Sequence, residues 1–452
     1  MLNLNQLKKL YIHSPLWIKK LYASIPYEVR NGKDYRKWQL FLAKELNVEE
    51  YKLLKIKELV AYAYKNTNYY KHVFDKLDIS PYDINSLQDY EKLPLIDKNI
   101  VRDNYDDMIV RGYPDKNKFY VTTGGTSGDA MKLLQSKNVW KKELAFVMKY
   151  FSQFGYKPSM LKATFRGGIF NHLAEDVYWK YNPIHNEIHF SPFDLHEKTI
   201  SFYVNELNKH KPRYFHAYPS LLLLLIDQMM NKGLQLNYKV KAVFLISENF
   251  SMEDVEKIKS FFKCEISSFY GHTERLVFAP SFDKNVSSYT VDERYGYFEL
   301  IDASEKCIIQ PEERGEIVGS SFDNYAMPLL RYKTNDYTSY IEEGEHKMIT
   351  KIEGRWNQKY LLGKNGQKVY LTALNMHSDV FKNVIQYQFL QNQLAYVELS
   401  IIVNKFFKED DIKNILRPLK QQVGHVLEFK INIVEKMQLT SRGKFKNLMT
   451  SM

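Results

Sequence analysis

Cysteine is scarce in this chain, which has only two in 452 residues, Cys264 and Cys307. Two thiols cannot build a framework of several disulfides, and their spacing matches no thiolate zinc site. Proteins that depend on disulfides are mostly secreted, so this scarcity favours a reducing compartment. We therefore predict a cytoplasmic protein.

Long apolar runs are also absent. The longest candidate, 221–226, falls far short of the roughly 18 consecutive apolar residues that a transmembrane helix requires. The first residues lack the apolar segment and small-residue cleavage site of a secretory signal. We expect neither a transmembrane span nor a secretory signal.

A concentrated basic run is missing as well, although the net charge is +11, from 64 Lys and Arg against 53 Asp and Glu. The chain shows no zinc-finger or RNA-recognition signature, so nucleic acid is not an expected partner. Dispersed positive charge suits a nucleotide, an acyl-CoA or an anionic membrane face. A hydrophobic content of 44% and a charged content of 26% indicate a folded protein of two or three domains.

Glycine is sparse too, with 19 in the chain, yet three lie within five residues, 124–128. Glycines so placed let successive backbone N–H groups face one concave side, as in a phosphate cradle. Neighbouring hydroxyls can reach a phosphate oxygen or a metal; they belong to Thr122, Thr123, Thr126 and Ser127. Asp129 follows the last glycine, so the stretch is not a Walker P-loop. The alternative is an ordinary polar surface turn.

Residues 1–70 alternate apolar and basic positions at helical spacing and predict amphipathic helices. The first joins Trp17 and Ile18 to four lysines, Lys8, Lys9, Lys19 and Lys20. This composition allows the helix to lie on a membrane surface. We expect it instead to pack on the protein's own core, as most amphipathic helices do.

The remaining chain predicts three further regions. Strands alternate with helices over 71–270, which favours an α/β layer with polar loops at the strand ends. The pattern turns to period two over 271–354, which predicts a β-rich lobe. Residues 355–452 have their own pattern of alternating strands and a helix from Asp411, whose continuation past Pro418 the sequence leaves open. We predict an N-terminal domain over 1–354 and a small α+β domain over 355–452.

Five segments carry a resemblance to a known family. They are Thr123-Gly-Gly-Thr-Ser-Gly128, Tyr270-Gly-His-Thr-Glu274, Arg331-Tyr-Lys-Thr-Asn-Asp336, Gly354-Arg355 and Leu439-Thr-Ser-Arg-Gly-Lys444. Their order resembles the core motifs of the adenylate-forming superfamily, which includes acyl-CoA synthetases, luciferases and peptide-synthetase adenylation domains. The glycine loop and compact N-terminal region most resemble the phenylacetate-CoA ligase branch, and within it the CapK-type proteins of polysaccharide biosynthesis.

The resemblance implies a large multi-layer α/β domain with a β-rich lobe and a small mobile α+β lid. It also implies a ligase that uses ATP and Mg²⁺ to convert a carboxylic acid to an acyl-adenylate, releasing pyrophosphate. The acyl group then passes to CoA; the alternative acceptor is the amine of an amino sugar or amino acid in capsule or surface-polysaccharide biosynthesis. A catalytically silent binding subunit and a peripheral membrane scaffold are further alternatives.

The family's roles carry over to particular residues. The phosphates of ATP would contact Thr123, Gly124, Gly125, Thr126, Ser127 and Gly128. Thr126 and Glu274 would hold Mg²⁺, and Asp336 would accept both ribose hydroxyls. The remaining ATP contacts would be Ser247, Glu248, Tyr270, Gly271, Thr273 and Arg355. For Tyr270, buried aromatic packing is the competing account.

Lys444 is the predicted catalytic cation, because an ammonium on a flexible stem can reach the carboxylate and bridging phosphate oxygen when the lid closes. By order along the chain, the carboxylate substrate would contact Arg166, His172, His216 and Tyr218. Both histidines are equally compatible with core or surface positions. Asn335, Asn357 and Ala130 depart from the family pattern, and Asn357 puts the domain swing in question.

Overall fold

The computed structural model describes residues 14–124, 130–168, 170, 176–281, 286, 288–341, 348–353, 359–374, 376, 379–381, 383–439 and 445–452. The chain divides into two compact units. The first unit comprises Met1–Val121, Lys132–Lys157 and Phe269–Gly354. The second unit comprises Thr122–Met131, Pro158–Ser268 and Arg355–Met452.

Helices dominate the first part of the first unit. They are α1 (Leu16–Ser24), α2 (Tyr27–Leu42), α3 (Val48–Asn66), α4 (Asn68–Lys76), α5 (Leu87–Glu91), α6 (Lys98–Asp103), α7 (Tyr105–Met108) and α8 (Lys137–Gln153). Asn47 caps α3 by accepting the Glu50 N–H, which satisfies one of the helix's unpaired donors. Ile56, Leu59 and Ala63, at helical spacing on α3, are buried in the core of this unit.

The expectation that the first helix packs on the core is wrong for α1. None of its residues is buried. An amphipathic pattern fixes which residues share a face, but it does not say which way that face points. The other helices of this region do contribute buried side chains, including Tyr35 and Trp38 on α2.

An antiparallel sheet forms the β-rich part of the first unit. Its order is β10 (Tyr289–Thr290), β14 (Met348–Ile349), β13 (Tyr332–Ile341), β12 (Arg314–Ser321) and β11 (Gly296–Ile301). A Cβ atom on Gly296 would lie 2.0 Å from the carbonyl oxygen of Leu276. Only glycine at this position therefore allows the backbone of Leu276 to pack against this sheet.

The second unit contains the predicted α/β layer. Its strands are β3 (Lys162–Phe165), β4 (Trp179–Asn182), β5 (Glu187–Phe190), β6 (Tyr214–Ala217), β7 (Ala242–Leu245) and β8 (Glu265–Gly271), in the order β4-β5-β3-β6-β7-β8. All adjacent pairs are parallel except β4 with β5. The helices are α9 (Ile200–His210), α10 (Pro219–Asn231) and α11 (Met252–Phe262). The α/β fold class is confirmed, because parallel strands connected by helices form this layer.

At two places in the chain, strands contain residues of both units. The last residues of β8, from Phe269 to Gly271, belong to the first unit and pair antiparallel with β9 (Phe278–Pro280). β1 (Lys118–Gly124) and β2 (Ala130–Ser136) form a two-stranded sheet. Both crossings occur next to loops that carry predicted site residues.

The C-terminal part of the second unit has an α+β arrangement. A hairpin of β15 (Tyr360–Leu362) and β16 (Lys368–Tyr370) precedes a sheet of order β19 (Glu428–Ile433), β18 (Tyr396–Val403), β17 (Val384–Gln393) and β20 (Leu448–Thr450). α12 (Glu409–Val423) continues through Pro418, answering the point the sequence left open. Phe193 joins the buried core of these strands.

No helix within the described part of the chain combines the length and apolarity needed to traverse a bilayer. The alternation predicted for β19 holds at Leu427 and Phe429, which are buried. It fails at Ile433, which is 52% exposed because β19 is an edge strand.

Candidate active site

The end of β8 and the loop after it hold the first group of predicted site residues, all in the first unit. Tyr270 is fully buried, and its hydroxyl donates to Oδ2 of Asp336 at 2.9 Å. These two residues come from separate motifs and lie 66 positions apart. The burial agrees with the packing account of Tyr270, while the carboxylate of Asp336 stays partly accessible.

Asp336 owes its position to an irregularity in the sheet. The register between β12 and β13 shifts between Glu316 and Val318. Thr334 Oγ1 donates to the Ile317 carbonyl at 2.8 Å and accepts the Asp336 N–H at 3.1 Å. Extra residues in one strand bend it and re-aim a side chain, which here belongs to Asp336.

Glu274 is a buried carboxylate with two partners. Its Oε2 lies 3.0 Å from Nδ1 of His272, and its Oε1 accepts from the Tyr332 hydroxyl at 3.4 Å. Burial alone would raise the pKa of Glu274, but the hydrogen bond and charge of His272, with the charge of Lys98, lower it to about 2. Glu274 is therefore ionised near neutral pH. An ionised carboxylate is a hard oxygen ligand that fits Mg²⁺.

His272 is a site residue that the sequence reasoning missed. Its Nε2 is buried and has no hydrogen-bond partner in the part of the chain that the structure describes. A buried polar atom without a partner is costly unless a ligand or water satisfies it. The signal was present in the sequence, since His272 occupies the variable position of the Tyr270–Glu274 motif.

The side chain of Gln135 on β2 holds the loop in place. Gln135 Nε2 donates to the Thr273 carbonyl at 2.7 Å, and Arg275 Nη1 donates to Gln135 Oε1 at 2.6 Å. Gln135 is itself buried. The backbone around Glu274 is thus fixed by hydrogen bonds and by the close approach of Gly296 to Leu276, which makes its geometry preorganised.

In the second unit, a hydrogen bond connects the described residues on either side of the glycine loop. Thr123 is buried, and its Oγ1 accepts the Met131 N–H at 3.1 Å. The hydroxyl of Thr122 is buried without a hydrogen-bond partner among the described residues. Gly124 ends β1. Several predicted residues lie outside the described residues: Gly125, Thr126, Ser127, Gly128, His172, Arg355 and Lys444.

Glu248 follows β7 and is buried. It accepts the Ser220 N–H and hydroxyl, both at 2.9 Å, and a hydrogen bond from the Thr372 hydroxyl. Burial raises the pKa of Glu248, and these hydrogen bonds oppose that rise. The carboxylate thus caps the first turn of α10. Its predicted neighbour Ser247 is exposed, with a positive φ of 65°.

The remaining predicted residues cluster at the carboxyl ends of β3 and β6. His216 is paired in register with Thr164, and the Tyr218 N–H donates to the Phe165 carbonyl at 2.8 Å. Arg166 follows directly, and its carbonyl lies 2.9 Å from Nε2 of His189 on β5. The structure thus brings Arg166, His216 and Tyr218 together and adds His189, a polar residue within a buried strand that sequence reasoning passed over.

Comparison with known proteins agrees with this fold. A crystal structure of 2-hydroxyisobutyryl-CoA ligase, in complex with 2-HIB-AMP and CoA in the thioesterification state, superposes with a TM-score of 0.57. It is 14% identical, and the match covers 89% of each chain. A phenylacetate-coenzyme A ligase of Thermus thermophilus is 22% identical over 86% of this chain and 92% of that protein. The chain resembles the adenylate-forming superfamily of ligases in sequence and in fold over most of its length, as its motifs predicted.

Within that superfamily, the similarity points further. Residues 361–450 match the family model described as the CapK C-terminal domain. Protein CapK of Staphylococcus aureus is 24% identical over 97% of this chain and 98% of that protein. The chain is thus similar to a CapK protein along nearly its whole length.

Proposed function

We propose that this protein activates a carboxylic acid with ATP and then transfers the acyl group to CoA. In the first step a carboxylate oxygen attacks the α-phosphorus of ATP and displaces pyrophosphate, leaving an acyl-adenylate. In the second step the CoA sulfur attacks the acyl carbonyl, AMP leaves, and the thiol proton goes to solvent. The likeness to proteins named as CoA ligases supports this order.

The observation that carries the proposal is the junction of two motifs in the first unit. Tyr270 and Asp336 are hydrogen-bonded, and Glu274 lies four residues beyond Tyr270, on the loop that follows β8. A partly accessible carboxylate suits the paired hydroxyls of ribose, since its two oxygens only accept hydrogen bonds when ionised. A silent binding subunit would gain nothing from keeping Glu274 buried and ionised, because burying a charge is costly.

Charge is the main chemical difficulty of the first step, because a carboxylate must approach a polyphosphate. Mg²⁺, when bound, would neutralise part of that charge. Glu274 supplies a fixed carboxylate for the ion, with Thr126 as the second proposed ligand. Lys444 is the proposed cation for the reacting oxygens, and the glycine loop is proposed to hold the pyrophosphate through its backbone N–H groups.

The second candidate acceptor is the amine of an amino sugar or amino acid. The match of residues 361–450 to the CapK C-terminal model and the similarity to Protein CapK favour keeping this candidate, since the resemblance places CapK-type proteins in polysaccharide biosynthesis. We place either activity in the cytoplasm. Both cysteines, Cys264 and Cys307, are free thiols, as expected in a reducing compartment.

Carboxylate-dependent exchange of labelled pyrophosphate into ATP tests the first step. With a panel of acids, we expect exchange that requires both an acid and Mg²⁺. If the protein binds ATP and is folded but exchanges no pyrophosphate with any acid, the adenylation proposal fails. Adding CoA or a panel of amines to a productive acid then identifies the acceptor by the thioester or amide formed.

A further inference from the structure

Strands β3, β5 and β6 of the second unit carry an unusual set of buried charged and titratable side chains, which begins at the amino ends of β3 and β5. Lys162 Nζ lies 3.4 Å from Glu187 Oε2. Glu187 also accepts from the Thr164 hydroxyl at 2.8 Å and from Asn182 Nδ2 at 2.9 Å. The Glu187 carboxylate is therefore compensated by Lys162 and occupied by neutral donors.

The two histidines of this cluster carry no charge at neutral pH. Burial and the nearby Arg166 lower the pKa of His189 to about 4. Burial and the same arginine hold the pKa of His216 well below its ordinary value. Within the described part of the chain, Lys162 rather than Arg166 forms the ion pair with Glu187.

Arg166 has the features of an anion-binding residue. Its Nε is buried without a hydrogen-bond partner, and no carboxylate among the described residues lies within ion-pair distance of it. The residue as a whole is only partly buried. A guanidinium presents fixed donors that match a carboxylate or phosphate.

The backbone that carries Arg166 is held tightly. The Arg166 carbonyl lies 2.9 Å from His189 Nε2. A Cβ atom on Gly168 would lie 2.5 Å from His189 Cε1, and one on Gly167 would lie 2.6 Å from the Ala373 carbonyl oxygen. Larger residues at either glycine would displace these neighbours, so the chain geometry around Arg166 is preorganised.

We infer that Arg166 binds a second, non-reacting anionic group of the acid, so that the substrate is a dicarboxylate or another doubly anionic acid. This rests on the proposed function. A cation bound to the reacting carboxylate would stabilise its negative charge and make it a poorer nucleophile. That cation would also lose its anionic partner once the adenylate forms. A second anionic group keeps its charge throughout, so Arg166 stays paired in substrate, transition state and product.

The test compares a dicarboxylic acid with the monocarboxylic acid of equal chain length in pyrophosphate exchange. Arg166→Gln should lower kcat/KM for the diacid by roughly 10- to 100-fold, mainly through KM, as expected for loss of a charge-assisted hydrogen bond. The monoacid should change by less than about threefold. Arg166→Lys should recover part of the loss. Arg213→Gln, at an exposed position before β6, is the matched control and should leave both acids unchanged.

Two results would overturn the assignment: equal losses for both acids, or no loss for the diacid. Calorimetric binding of the acids separates this inference from the adenylation proposal. One possible outcome is that the protein binds the diacid, that Arg166→Gln abolishes this binding, and that no pyrophosphate exchange occurs. That outcome would support the anion site and refute the adenylation proposal. Thermal melting of each variant shows whether a loss reflects unfolding.

A separate observation concerns α1 in the first unit, because its apolar side chains are exposed. Trp17 and Leu21 are each 67% exposed, and Ile18 and Tyr22 lie on the same side of the helix and are also exposed. Lys19 and Ala23, on the opposite side, are partly buried. The apolar side therefore faces away from the described residues of its unit, and an exposed apolar face of this kind is typical of a docking surface.

The chemistry around α1 identifies that partner. Residues 14–44 contain seven Lys and Arg but two Asp and Glu. Trp and Tyr, which combine an apolar ring with a polar atom, favour the boundary between lipid and water. We propose that α1 docks on an anionic lipid surface, with Trp17 and Leu21 inserted and the neighbouring basic residues near the headgroups.

Vesicle flotation tests this docking with the full chain. We expect binding to vesicles that contain phosphatidylglycerol and none to pure phosphatidylcholine. Trp17→Ser with Leu21→Ser should weaken binding at least about tenfold, because two inserted side chains are lost. Leu40→Ser, at an equally exposed apolar position on α2, is the control. Absence of flotation would refute the lipid proposal. A wild-type dimer that becomes a monomer in the double variant, measured by light scattering, would also refute it, because a second copy of the chain would then cover α1.

Discussion

Nδ1 of His272 lies 3.0 Å from Oε2 of Glu274, two residues further along the same loop, and both side chains are largely buried. Because an ionised carboxylate only accepts hydrogen bonds, Nδ1 must carry the proton of this pair. Nε2 is then the free nitrogen of a neutral ring or a second donor of a protonated one. The pair explains how a buried glutamate keeps its charge, and it leads to the first two predictions.

Glu274→Gln keeps the side-chain shape and removes the charge. We expect pyrophosphate exchange to fall by about 100- to 1,000-fold, with a weaker dependence on Mg²⁺, because a fixed electrostatic contact is lost. The measurement is exchange rate against Mg²⁺ concentration. Glu313→Gln, at an exposed position in the same unit, should leave the rate unchanged. A rate equal to wild type in Glu274→Gln would remove Glu274 from the metal site.

His272→Asn should change the pH dependence of the reaction. In the folded protein the pKa of Glu274 is about 2, below its ordinary value, so the carboxylate remains charged until strong acid. Without His272, burial dominates and raises that pKa. The acid limb of kcat/KM should therefore move to higher pH, with the largest loss near about pH 5 and little near about pH 8. A loss that is uniform across this range would contradict the role given to His272.

Tyr270→Phe should weaken ATP binding without affecting the acid. The substitution removes the hydroxyl that donates to Asp336 and costs on the order of 1 kcal/mol, which is about a fivefold rise in KM for ATP. In a double-mutant cycle with Asp336→Asn, the two losses should be less than additive. Fully additive losses would show that the hydrogen bond does not orient Asp336.

Lys142→Met tests a buried ion pair in the first unit. Lys142 Nζ lies 2.5 Å from Asp323 Oδ2 and also donates to the Tyr295 carbonyl, with both charged side chains buried. Removing the lysine leaves Asp323 unpaired and should lower the free energy of unfolding by about 3–5 kcal/mol, measured by urea denaturation. Lys257→Met, which breaks an exposed pair with Asp227, should change it by less than about 1 kcal/mol.

The sequence predicted the α/β layer and the β-rich part because their periodicities are local properties. It also selected Tyr270, Glu274 and Asp336, since each lies in a short motif. It could not provide the partners that define them. The contact between Glu248 and Thr372 joins residues 124 positions apart, so no local sequence pattern predicts it.

Other features depend on the direction in which a side chain or a helix face points, and sequence periodicity does not specify that direction. The helical spacing correctly predicts a helix at α1, but the apolar side of this helix points outward. Arg331 belongs to a motif chosen for its likeness to a nucleotide site, yet its guanidinium is buried against Glu299, with Nη2 2.7 Å from Oε1. Whether a motif residue faces a ligand or the core is decided by packing that the sequence alone does not display.

The hydrogen bond between Thr372 and Glu248 ties a protonation equilibrium to the position of the C-terminal residues. Thr372 supplies one of three donors that keep the pKa of Glu248 from rising further. If Thr372 moves away, Glu248 binds a proton more readily, so by thermodynamic linkage a lower pH makes that movement easier. Hydrogen exchange at Thr372 should accelerate relative to its intrinsic rate as the pH falls. A rearrangement that breaks this hydrogen bond is therefore coupled to proton uptake by Glu248, and acidic pH favours it.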